Sequence, residues 1–145
     1  MQLEIKVGVD FGKLANEMPK IIDKTLEDAV EGSVEASRNK IDEGLQPTLK
    51  KSTREIRTKR GQSTDKPLYA SGALYKSIRK DKNRLKMKGY GGLHEEGFIT
   101  DSKSMIPNKN VPARPFISIG KISTEKMIKE MRKALNLKSP LVLKT

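Results

Sequence analysis

Hydrophobic positions along the chain change period several times, and each change marks an element. Leu3, Ile5, Val7 and Val9 alternate with Gln2, Glu4, Lys6 and Gly8, the period-two pattern of a strand with one buried face. Asp10 is a helix cap, and 11–18 reads as a short helical turn that Pro19 interrupts and restarts as a first-turn residue. From Lys20 onward, Ile22, Leu26, Ala29, Ser33, Ser37 and Ile41 recur at spacings of three and four. They define one face of a long, acidic, amphipathic helix laid across a sheet, stopped by Gly44 with Pro47 behind it.

Residues 46–66 have no sustained periodicity and read as a long basic loop. Leu74 and Ile78, four apart after Ser71-Gly72, predict a short packing helix. Arg84-Leu85-Lys86-Met87-Lys88 alternates basic and apolar, a half-buried strand with a positive outer face. Gly89, Gly91 and Gly92 predict a sharp bend before His94. A second apolar strand at 115–120, with Phe116, Ile117 and Ile119, would complete a hairpin-like unit around an extended loop at 98–111. Ser123 caps a last helix with Glu125 in its first turn, turning Met127, Ile128, Met131 and Leu135 inward. The tail, 137–145, holds Leu141, Val142 and Leu143 and is expected to dock on a neighbour. The sum is a single α+β domain over 1–145. A small, mostly antiparallel sheet is packed by one long N-terminal helix, a short middle helix and a C-terminal helix, with long extended loops.

Composition thins the expected core. Only 34% of the 145 residues are hydrophobic, 33% are charged and there is no Trp, so part of the stability is expected to come from neighbouring copies. The absence of cysteine excludes a disulfide scaffold and a Cys-based zinc site. No apolar run approaches a membrane span and no signal-peptide core opens the chain, so no membrane partner is expected. The formal charge of +12 is uneven: 1–45 carry 6 basic and 10 acidic side chains, 46–88 carry 14 and 3, and 89–145 carry 10 and 5. Lys50, Lys51, Arg54, Arg57, Lys59 and Arg60 are opposed only by Glu55 within eleven residues. Such a block suits phosphate or an acidic protein surface. With no aromatic interleaved, contact with DNA would be to the backbone and indifferent to sequence.

One phrase stands apart, Pro112-Ala113-Arg114-Pro115-Phe116, in which two prolines hold the backbone extended and present the arginine. The lone histidine sits in His94-Glu95-Glu96. One His without Cys cannot supply the three converging ligands of a metal site, and no nucleophile has an identifiable partner, so no catalytic residue, metal or cofactor is expected. A weaker alternative is a small hydrolase using His94 and Glu95. The expected role of His94, Glu95, Pro112, Arg114, Pro115 and Phe116 is a structural clamp. In it the Arg114 fork pairs with Glu95 or Glu96, or else crosses a subunit interface.

Tyr90-Gly91-Gly92-Leu93-His94-Glu95-Glu96-Gly97, then Ile106-Pro107 and Pro112-Ala113-Arg114-Pro115-Phe116, with Ser71-Gly72-Ala73-Leu74-Tyr75-Lys76-Ser77-Ile78 upstream, resembles the tail-completion or head-tail joining proteins of tailed bacteriophages. Gly91 stands where that family has alanine, and Glu96 where it has an aromatic. The resemblance implies a virion protein of the neck, made in the host bacterial cytoplasm. It also implies a ring, of six copies by analogy, between adaptor or connector proteins and the tail tube or tail terminator, with possible backbone contact to genomic DNA in the channel. The alternative is a sequence-independent DNA-binding protein using the basic segment 46–88.

Overall fold

The computed structural model describes residues 10–104 and 106–135. The expected strand at 2–9 and the expected docking of the tail at 137–145 lie outside the described residues. Within them the architecture is α+β, with five helices and two small antiparallel sheets of two strands each.

Helix α1, Phe11–Glu43, runs for 33 residues, about 50 Å at the α-helical rise. Asp10 caps it, its Oδ1 accepting from the Lys13 N–H at 2.9 Å, and Gly44 ends it at φ 96°. Pro19 does not break the helix as expected. It and Ala15, whose carbonyl loses its donor, both lie on the exposed side, so the loss falls where solvent has access and the buried stripe is untouched. That stripe passes through Ile21, Val34, Ser37 and Ile41; Ile22, expected on it, is 43% exposed.

The core gathers Val34, Ile41, Leu45, Leu74, Ile78 and Phe116, with Leu68, Tyr69, Tyr75, Leu85, Met87 and Ile117 packed around it. Helix α3, Ala73–Ser77, supplies Leu74 as expected. Strands β1, Arg79–Asp81, and β2, Arg84–Lys86, pair antiparallel with Lys80 opposite Leu85. Lys82 takes φ 52° in their two-residue turn, the left-handed conformation such hairpins require. The partner of β2 is therefore β1 and not segment 115–120, because two residues suffice to close the chain locally.

Segment 46–66 is not a loop throughout, since Lys51–Lys59 form helix α2. Lys, Arg and Glu favour helix locally even where no apolar stripe betrays one. Helix α4, Tyr90–Glu96, replaces the expected glycine bend. A Cβ on Gly91 would meet Met87 Sδ at 2.6 Å and Leu74 Cδ1 at 3.1 Å, so this glycine permits close packing and does not turn the chain. Strands β3, Phe98–Ile99, and β4, Asn110–Val111, make a second hairpin out of what read as an open loop. Its connection is knitted by Thr100, whose Oγ1 donates to the Ile106 carbonyl at 2.6 Å and accepts from the Lys109 N–H at 2.8 Å. Helix α5, Thr124–Ala134, is capped by Ser123 and packs on α1, with Met127 and Met131 half-buried but Ile128 50% exposed.

Acidic α1 is the platform on which part of the basic chain folds. Lys80 reaches Glu31 at 3.5 Å and Glu27 at 3.7 Å, Lys126 reaches Asp28 at 3.6 Å, and Lys66 reaches Asp42 at 2.8 Å. Asp42 also accepts from the Tyr75 hydroxyl at 2.9 Å, and the Lys66 bond, then the Tyr75 bond, hold its carboxyl below the usual carboxylate range. These pairs are solvent-exposed, so water and salt screen them and they set position more than stability.

Segment 112–123 is extended but belongs to neither sheet. From Ser118 it lies along the small-residue face of α1. The Ser118 N–H donates to Ser37 Oγ at 2.9 Å and the Gly120 N–H to Ser33 Oγ at 2.6 Å, while Ser33 Oγ donates to the Ala29 carbonyl at 2.8 Å. A Cβ on Gly120 would collide with the Ala29 carbonyl. Ser37 is fully buried. Ser37→Ala leaves the Ser118 N–H without an acceptor, and should lower unfolding free energy by about 1–3 kcal/mol in chemical denaturation. An unchanged midpoint and slope would show that the bond contributes nothing.

Candidate functional site

The glycine-bounded histidine segment and the proline-flanked arginine segment do meet, through contacts other than the expected ion pair. Helix α4 ends at Gly97, φ 78°, where a Cβ would lie 2.7 Å from the Ala113 nitrogen and 3.0 Å from the Val111 carbonyl oxygen. Only glycine lets the two backbones approach so closely. The Arg114 N–H donates to the His94 carbonyl at 2.8 Å. Glu95 Oε2 accepts from the backbone N–H groups of Phe116 at 2.8 Å and Ile117 at 3.0 Å. Pro112 and Pro115 have no N–H to satisfy. Phe116 then enters the core, fully buried.

Arg114 therefore does not pair with Glu95 or Glu96. Glu95 is taken by backbone amides, and no carboxylate lies within 4 Å of the Arg114 guanidinium among the described residues. Its Nε donates to the Pro47 carbonyl at 2.9 Å, tying segment 112–120 to the chain just after α1. The side chain is 9% exposed, and burial lowers its pKa.

The basic residues of 46–66 divide between two roles. Lys50, Lys51, Arg54, Lys59 and Arg60 are exposed. Arg57 turns inward, its Nη1 donating to the carbonyls of Ser63 at 3.0 Å and Lys66 at 2.9 Å, which fastens the chain beyond α2. Its pKa is lowered first by burial and then by the charge of Arg114.

Arg57, Arg114 and His94 share the wall of a cavity of about 470 Å³, with Leu49, Leu68 and Leu74 among its apolar surfaces. The His94 ring sits edge-on to Tyr90 and Phe98, at centroid distances of 6.2 and 5.4 Å. Its Nδ1 is buried without a hydrogen-bond partner among the described residues. Burial, and secondarily the Arg114 charge, lower its pKa below the ordinary value near 6.5, so the ring is neutral at pH 7. Nothing in the sequence pattern pointed to this cavity, because its walls come from segments more than sixty residues apart. The inward arginine was hidden inside a run of similar charges.

Comparison with family models finds no match, and comparisons with curated proteins and with solved structures find none either. Among the described residues no group of three or more His, Cys, Asp or Glu is placed to hold a metal ion, and no helix is long and apolar enough to cross a membrane.

The only histidine gives a clean pH test. Its folded pKa is depressed, so as pH falls through 6.5 the unfolded chain takes up the proton first and stability is lost. Wild-type unfolding free energy should fall more steeply between pH 7.5 and pH 5.5 than that of His94→Gln. Parallel slopes for the two proteins would contradict the burial of a neutral ring.

Proposed function

We propose that the protein is a structural subunit of a tailed-phage neck, a tail-completion or head-tail connector protein. It assembles into a ring that joins the portal-adaptor complex to the tail. The observation that supports this most is where the apolar side chains lie. Among the described residues eight hydrophobics are buried, whereas ten large ones are exposed, including Ile119 at 90%, Ile99 at 70%, Ile106 at 54% and Leu93 at 51%. Scattered exposed apolar residues are ordinary, but ten large ones beside a fully buried core this small suit a chain completed by neighbours. The phrases at 71–78, 90–97 and 112–116, in the order of the family they resemble, point to which neighbours: further copies in a ring of six, an adaptor or connector above, and the tail tube or tail terminator below. The β3–β4 hairpin, with Ile99 and Ile106 outward, is the part best placed to reach the next subunit.

A second reading has one observation in its favour. Lys51, Arg54, Lys59 and Arg60 stand exposed on or beside α2, a footprint for the DNA backbone. Sedimentation velocity and negative-stain electron microscopy of the purified full chain separate the two. The assembly reading predicts a closed ring, with six subunits by analogy. A monomer at all concentrations that binds duplex DNA at 150 mM salt, with affinity falling roughly a hundredfold between 50 and 200 mM as four phosphate contacts require, would replace it with the DNA reading.

A further inference from the structure

The cavity beneath α4 has a charge imbalance that its own chain leaves unanswered. Four cationic side chains line it, Lys50, Arg57, Lys109 and Arg114, and none of its lining residues is acidic. Both arginines are partly desolvated, and among the described residues neither has a carboxylate within ion-pairing distance. Arg114 spends only Nε on protein, at the Pro47 carbonyl, leaving both terminal nitrogens without a protein acceptor among the described residues. Arg57 spends only Nη1. Buried guanidinium groups are ordinarily matched by carboxylates, because leaving their donors unmade costs more than the bond is worth. The free nitrogens of both groups are not sealed off from the cavity, so an anion entering it would meet donors that the described chain does not use.

We propose that this cavity is a binding site for a carboxylate attached to an apolar body. The carboxylate would sit between Arg114 and Arg57, where planar forks favour a planar two-oxygen acceptor. The body would lie against Leu49, Leu68 and Leu74. A volume of about 470 Å³ is too large for a lone oxyanion and within the range of small-ligand pockets, so a small inorganic anion would leave the leucine surfaces unfilled. The His94 ring in the same wall adds a polar group beside the two arginines. The same chemistry could come from a free aliphatic acid or from a glutamate flanked by leucine in another protein. The walls belong to one chain, so the site does not depend on ring assembly.

The test titrates the full-length protein with hexanoate, with hexanamide and with inorganic phosphate at low chloride. His94 ring resonances are followed by NMR and the heat by calorimetry. Hexanoate should saturate and move the His94 signals, hexanamide should bind at least tenfold more weakly, and phosphate should not saturate over the same range. Arg114→Gln should weaken hexanoate about tenfold or more. Should that variant fail to fold, the hexanoate-to-hexanamide ratio on wild type decides alone. An acetylated Leu-Glu-Leu amide distinguishes the sources: tighter binding than hexanoate assigns the site to a protein segment, and weaker binding to a small acid. No His94 response to hexanoate, or equal binding of acid and amide, would overturn the proposal.

Discussion

An extended backbone without a partner strand is the constraint on which the fold turns. Between 112 and 120 the chain runs past α4 and then along α1, and no ladder receives its N–H groups. Side chains and one helix carbonyl do so instead: the His94 carbonyl takes Arg114, Glu95 takes Phe116 and Ile117, Ser37 takes Ser118, and Ser33 takes Gly120. The two prolines bring no donors to answer. Two helices thus act together as the missing strand. Their positions relative to each other are fixed by the same bonds that satisfy the segment, and with Phe116 anchored in the core the connection between the two halves of the chain is both polar and apolar.

Charge is arranged around this connection. The acidic helix neutralises lysines that fold onto it from β1, from α5 and from the stretch after α2. What remains positive is concentrated where the fold does not use it, on the outside of α2, and around a cavity whose two arginines are held by backbone carbonyls in place of acids. A chain that leaves this many cations without a carboxylate partner is suited to contact with something negative.

Much of this is legible in the sequence where the physics is local. The long helix, its glycine stop, the small-residue face of Ala29, Ser33 and Ser37, the short helix around Leu74, the strand at Leu85 and the Ser123 cap all follow from periodicity and capping chemistry. The meeting of the His94 and Arg114 phrases is legible as well. The bonds that join them are not, because pairing an arginine with a nearby carboxylate is the obvious choice in sequence, whereas backbone amides compete for the same carboxylate only in three dimensions. Helix α2 has Ile56 alone as an apolar signal, and that residue is 48% exposed. Gly91 reads as part of a bend until the packing of Met87 and Leu74 against it is seen. Residues 115–120 look like a strand because Phe116, Ile117 and Ile119 are strand formers; what the pattern cannot supply is the identity of the partner, which is helical.

Amide hydrogen exchange across 112–120 tests the side-chain capture of this segment most directly. The N–H groups of Arg114, Phe116, Ile117, Ser118 and Gly120 should exchange slowly, near the rate of the α1 core, while Ala113 and the exposed Ile119 exchange fast. Uniformly rapid exchange across the segment would mean that the arm is not held against α1 and α4, and that the architecture built upon it is wrong.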